Sequence, residues 1–142
     1  ILLDEEIDFL NKLDDSQWTP LLCAAANSHF HVCSYLLSLS CDAMVQNKSG
    51  TSALHHLARK TPSPEDESVY IEVLEQIFSL DTNPNIANRL GETPLHQASM
   101  RGNLIAVKIL LKNKADVKLC TANEETALHF AVRGGSEEVV DL

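Results

Sequence analysis

One phrase recurs along this chain and constrains its fold more than any other feature. It reads WTPLLCAAANSH from Trp18, TSALHHLARK from Thr51, ETPLHQASMRGN from Glu92 and ETALHFAVRGGS from Glu125. Aligned on Thr19, Ser52, Thr93 and Thr126, the copies lie 33, 41 and 33 residues apart. That is a 33-residue repeat with one insertion of eight residues in its second copy. An apolar pair keeps the same register: Leu36-Leu37, Ile77-Phe78 and Leu110-Leu111 each begin sixteen residues before the next anchor. A period of this size describes small units, each resting on its neighbours.

The physics of one unit predicts two short helices. Thr19, Ser52, Thr93 and Thr126 are N-cap residues, each offering an oxygen to orphan backbone N–H groups. Pro20 and Pro94 fit the first helical position, where no N–H is missed. Leu95, Ala98 and Ser99 give a short first helix with small residues where helices must approach. Gly102 suits the left-handed turn that ends it. Leu104, Val107, Leu110 and Leu111 form an apolar stripe at helical spacing on a second helix. Gly91 suits a turn with positive φ ahead of the unit. Neither helix can bury its apolar face alone, so the units must stack.

The pattern resembles the ankyrin repeat, whose period is about 33 residues with a T-P-L-H signature. Only Thr93–His96 carries all four letters; Leu22 replaces the His, and Ala53 and Ala127 replace the Pro. The resemblance implies an all-α solenoid of stacked helix-turn-helix units joined by β-turn or hairpin-like loops. The units expected are 14–46, 47–87 with its insertion near 61–68, 88–120 and a truncated 121–142. Residues 1–13 read as a cap or the remnant of a preceding repeat, with Leu2-Leu3 one residue out of register. The chain lacks an initiator Met and ends at EEVVDL, one residue before the expected apolar pair, so it reads as a piece of a longer protein.

The insertion, Thr61-Pro62-Ser63-Pro64-Glu65-Asp66-Glu67, supports two readings. In the first, Ser63 is an N-cap, Pro64 is the first helical residue and the three acids complement the dipole of an extended helix over SVYIEVLEQIF. In the second, Thr61 and Ser63, each followed by Pro, are phosphorylated. The capping reading is the one carried forward, with phosphorylation as an addition.

Charge and composition exclude several function classes. The 142 residues carry 11 Lys+Arg against 20 Asp+Glu, a net charge of -9, which opposes unaided binding to nucleic acid or an anionic membrane. No apolar run approaches the roughly 18 residues of a membrane span, and the acidic start lacks the basic region of a signal peptide. Cys23, Cys33, Cys41 and Cys120 form no C-x-x-C pair and read as reduced, mostly buried thiols of a cytoplasmic or nuclear protein. No hydrolase, metalloprotease or phosphate-loop motif is present, and no catalytic residue, cofactor or metal is expected. His55, His96 and His129 share one register position. Units about 10 Å apart cannot converge three such residues on a zinc at about 2 Å. In the ankyrin family that His ties turn to helix. His29, His31 and His56 lack metal-site partners, and the acid pairs Glu124-Glu125 and Glu137-Glu138 read as solvated surface.

The resemblance also implies a binding face, formed by the turn tips and the exposed end of each first helix and continuous along a concave surface. The variable positions lie four, three and one residues before each anchor and seven and eight after it. Those 20 slots hold six basic residues (Lys48, Arg59, Lys60, Arg89, Arg101, Arg133) and three acidic ones (Asp15, Glu92, Glu125), a net charge of +3 against -12 for the remainder. Trp18, Leu90 and Met100 add apolar anchors of the kind found at interface hot spots. The expected partner is an acidic segment of another protein, gripped by Trp18, Lys48, Arg59, Lys60, Arg89, Leu90, Glu92, Met100, Arg101 and Arg133. The expected function is a non-catalytic protein-interaction module, scaffold or adaptor, monomeric or docked on other domains of its own chain. The alternative is a regulatory or substrate-recruiting part of a larger enzyme such as a kinase, ubiquitin ligase or GTPase regulator. Single-stranded RNA would need aromatic stacking platforms, and only Trp18 is placed for that.

Overall fold

The computed structural model describes residues 9–142. The segment 1–8, with the Leu2-Leu3 register and most of the expected N-terminal cap, lies outside the described residues. Eight helices follow among them: α1 (Pro20–Ala26), α2 (Phe30–Ser38), α3 (Ala53–Ala58), α4 (Glu67–Ser79), α5 (Pro94–Arg101), α6 (Leu104–Lys112), α7 (Ala127–Gly134) and α8 (Glu137–Val140). No strand occurs among the described residues. The first helices pack in one row, α1 on α3 on α5 on α7, and the second helices in another, α2 on α4 on α6 on α8. The all-α solenoid expected from the repeat is therefore observed.

Most of these helices have fewer than ten residues, too short to hold together in water unaided. Two devices hold them. One is burial between neighbouring units: Leu21, Leu54 and Leu95, two residues after their anchors, are at most 3% exposed. Small residues (Ala25, Ala58 and Ala98, each fully buried) let the rows approach closely. The same register in α7 behaves differently, with Leu128 56% and Val132 63% exposed, because no further first helix covers that side among the described residues.

The other device is capping. The Oγ atoms of Thr19, Ser52, Thr93 and Thr126 accept from the backbone N–H three residues on, as the sequence predicts. In the last three units the histidine closes a capping box. His55 Nδ1 accepts from Ser52 N at 3.1 Å, and His96 and His129 do the same from Thr93 N and Thr126 N at 3.0 Å. An Nδ1 that accepts leaves the proton on Nε2. That proton is donated to the next unit, from His55 to Glu92 O (2.8 Å) and from His96 to Glu125 O (3.1 Å). Burial of the ring pushes His55 down to about 4, so the neutral tautomer this arrangement needs is the one present at pH 7.

Ahead of each first helix stands one turn, repeated four times. Asp14, Asn47, Asn88 and Thr121, five residues before their anchors, each donate N–H to the carbonyl four residues on. Each also accepts, through its side-chain oxygen, from the N–H groups two and four residues on. The fourth residue of the turn is left-handed in every copy: Gln17, Gly50, Gly91 and Glu124. Glycine occupies that place where the following turn stacks on it. Arg89 N donates to Ser49 O at 3.0 Å and Ala122 N to Leu90 O at 2.9 Å. A Cβ on Gly50 would lie 2.9 Å from Arg89 N, and one on Gly91 2.9 Å from Ala122 N.

Two expectations need correction. The buried member of the apolar pair is Ile77 in α4 and Leu110 in α6, but Leu37 in α2, a rotation of one residue. In α2 the buried stripe runs Phe30, Cys33, Leu37, with Phe30 edge-on to Tyr70 at 5.1 Å. The insertion also differs from the capping reading. Helix α4 starts at Glu67, its N-cap position is Asp66, and among the described residues no side chain caps it. Ser63 instead opens a turn, accepting Asp66 N at its carbonyl, while its hydroxyl donates to Asp66 Oδ2 at 3.2 Å.

The insertion is anchored from the neighbouring unit. Asn103, 1% exposed, caps α6 through Oδ1, which accepts from Ala106 N. Its Nδ2 reaches Ala58 O, Lys60 O and Tyr70 Oη at 3.1, 3.1 and 2.9 Å. Tyr70 Oη donates in turn to Leu57 O at 2.6 Å. One buried side chain thus ties the end of α3, the start of the insertion and α4 to the next unit.

Candidate functional site

The turn tips and the first-helix row form a face on which residues seven positions after an anchor meet residues one before it. Side chains four after the anchor take part in three of the units: His56, Gln97 and Phe130. Arg59 Nε donates to Gln97 Oε1 at 2.9 Å, and Gln97 Nε2 to Glu92 Oε1 at 3.0 Å. Asn88 Nδ2 holds the same carboxylate oxygen at 3.0 Å. Arg133 pairs with Glu125 and lies over the Phe130 ring, 5.3 Å from its centroid. Trp18 packs on His56, ring centroids 5.1 Å apart.

These contacts sort the ten candidate residues. Lys48, Arg89, Leu90 and Arg101 are exposed; Leu90 is 64% exposed, a large figure for an apolar side chain. Among the described residues no hydrogen bond or ion pair engages the side chains of Lys48, Arg89 or Arg101. Lys60 and Met100 are half-buried. Arg59, Glu92 and Arg133 are engaged within the protein. Trp18 is corrected: it is not a free apolar anchor but half-buried against the next unit. Thr51, another of the variable slots, is buried outright.

His56 is the residue on this face whose environment departs most from that of a free side chain. It is 8% exposed, and its Nε2 is buried without a hydrogen-bond partner among the described residues. Burial, reinforced by Arg59, His55 and Lys60, pushes it down to about 4, so it is neutral at pH 7. The Arg59 guanidinium is also held below its ordinary value, by burial first, with Arg101 adding to the effect and Glu92 opposing it. The bridging row was missed in the sequence. The signal was available, because the fourth residue after the anchor differs in every unit, whereas three of the five chosen slots repeat a residue type.

Among the described residues no three His, Cys, Asp or Glu side chains come together as metal ligands, and no helix is long and apolar enough to cross a membrane. Cys33 and Cys41 are buried, whereas Cys23 and Cys120 are exposed, so half of the thiols depart from the buried environment expected of them.

The signature of the family described as ankyrin repeats (3 copies) matches residues 1–69 and 65–142. A fowlpox virus protein named for ankyrin repeats is 34% identical over 105 residues, covering 72% of this chain and 55% of that protein. The Notch-regulated ankyrin repeat-containing protein of Xenopus tropicalis is 37% identical over 68 residues, 48% of this chain and 60% of that one. A Dictyostelium discoideum protein named as a probable serine/threonine-protein kinase is 32% identical over 136 residues, 94% of this chain but 16% of its own length. The chain thus spans little more than half of the first two relatives and a small part of the third.

Proposed function

We propose, from the premise that this chain belongs to the ankyrin-repeat family, that its turn-tip and first-helix face binds an acidic segment of another protein. Ankyrin repeats are non-catalytic protein-interaction modules, and the units 14–46, 47–87, 88–120 and 121–142 serve here as one scaffold. The observation that carries the reading is the set of cations left over. After Arg59 and Arg133 are spent on internal contacts, Lys48, Arg89 and Arg101 remain exposed beside Leu90 on an otherwise acidic protein. Exposed like charges of this kind steer association with an oppositely charged partner, and Leu90 supplies apolar contact. In this reading the module works in the cytoplasm or nucleus, where its thiols stay reduced.

The test is capture of the native partner and mapping of the bound segment, with wild type compared to Arg89→Glu combined with Arg101→Glu. The reading expects a segment rich in Asp and Glu and a loss of affinity of about tenfold or more in the variant. A neutral or basic segment, bound equally by both proteins, contradicts it. A second reading, a recruiting segment within a larger enzyme, is supported by the alignment of nearly the whole chain with a small part of the Dictyostelium protein.

A further inference from the structure

The Thr61-Pro62-Ser63-Pro64 motif has lost its capping explanation, since Ser63 caps nothing and α4 begins at Glu67. What remains is an exposed Thr61 on backbone that is neither helix nor turn, with no hydrogen bond to its side chain among the described residues. Pro62 keeps the preceding residue out of helical conformation, so the stretch presents itself extended, as a kinase cleft requires of its substrate. Its upstream end is fixed, because Lys60 O accepts from Asn103 Nδ2 at 3.1 Å. Thr61 is therefore a free hydroxyl held beside Lys60 and two residues from Arg59, at the edge of the basic face.

We propose that Thr61 is the phosphoacceptor of a proline-directed protein kinase and that its phosphate pairs with the neighbouring Lys60, closing the face. In the transfer, Thr61 Oγ1 attacks the γ-phosphorus of ATP. The bond from that phosphorus to the bridging oxygen breaks, ADP leaves with the electron pair, and the hydroxyl proton passes to the kinase's base. The product adds about -1.5 to -2 charges at pH 7, half or more of the +3 excess of the variable slots. Ser63 is the poorer acceptor site for this purpose. Its hydroxyl is engaged by Asp66 Oδ2, and Glu65, Asp66 and Glu67 would repel a phosphate there. The closing of the face rests on the function proposed above; the modification and its pairing do not.

The whole chain is incubated with ATP and a purified proline-directed kinase, and the phosphate is mapped by mass spectrometry in wild type, Thr61→Ala and Ser63→Ala. One phosphate is expected, lost only in Thr61→Ala. Its ³¹P titration is expected about 0.5 pH units below that of phosphothreonine in an unfolded peptide of the same local sequence, moving back toward it in Lys60→Gln. No phosphate, or phosphate on Ser63 alone, overturns the assignment. A titration equal to the peptide's and unmoved by Lys60→Gln overturns the pairing. A deca-glutamate peptide then reads the consequence: the phosphorylated protein should bind about tenfold more weakly than the unmodified one, and equal binding overturns the regulation. If neither form binds that peptide, the face reading and the regulation fail together, while the phosphate map and titration still decide the modification and pairing.

Discussion

Removing the Asn103 side chain should destabilise the protein by about 3 kcal/mol. The contributions come from the geometry. Loss of the cap to Ala106 N costs about 1 kcal/mol. The buried carbonyls and hydroxyl that Nδ2 serves lose a donor they cannot replace from solvent, because Ala58 and Tyr70 are fully buried; that costs about 1–3 kcal/mol. For 142 residues the unfolding entropy is about 0.3 kcal/mol/K, so Asn103→Ala should lower Tm by about 10 °C. Urea denaturation followed by Trp18 fluorescence, with helix content by circular dichroism, measures it. Asn103→Asp separates the two contributions, since it keeps the capping oxygen and replaces the donating amide with an oxygen facing other oxygens. It should cost at least as much as Ala. If Asn103→Asp stays within about 0.5 kcal/mol of wild type, the bridge to the insertion contributes nothing and the reasoning is refuted.

Three other predictions follow from the scaffold. His55 and His56, both held at about 4 by burial, are neutral in the folded state, whereas the unfolded chain binds their protons near pH 6.5. Their contribution is full above pH 6.5 and is lost as pH falls toward 4. Urea titrations should show about 2 kcal/mol lost per imidazole between pH 7 and 5, with His56→Gln removing about half of the dependence; a flat profile contradicts the burial argument. Gly91→Ala, at φ +78° with its Cβ against Ala122 N, should cost about 2–3 kcal/mol. Gln17→Gly at the equivalent place should instead be neutral or stabilising by up to about 1 kcal/mol in the same assay. Burial holds the thiols of Cys33 and Cys41 up, to about 12 and about 11. Only the exposed Cys23 and Cys120 should react with a thiol reagent at pH 8 before unfolding, and rapid labelling of all four would contradict the packing.

The scaffold was legible because its parts repeat. Thr19, Ser52, Thr93 and Thr126 cap four helices from four equivalent positions, and a register held four times outweighs the missing signature letters. The turn residues Asp14, Asn47, Asn88 and Thr121 were equally periodic, but they differ in type while performing one hydrogen-bonding task, so a search for one recurring letter passes over them. The insertion misled for a physical reason. Ser-Pro followed by acids is a sound helix start in isolation, yet its Ser spends its hydroxyl on Asp66 and the helix begins one turn later. The proposed binding face was the least legible part. Sequence register says which side chains reach the face, but pairing decides which remain available. Trp18 on His56, Arg59 on Gln97 and Arg133 on Glu125 depend on contacts between or within units that the period alone does not reveal.

The central claim is that the scaffold and the binding face are carried by different residues, with Arg89 and Arg101 serving only the second. The most direct test is the affinity of wild type and of the Arg89→Glu, Arg101→Glu protein for one acidic peptide, measured across a range of ionic strength beside their urea stability. The account predicts equal stability within about 0.5 kcal/mol. It also predicts affinity that falls with salt in wild type and, in the variant, weaker binding with little salt dependence. Equal affinity and equal salt dependence in the two proteins would contradict it.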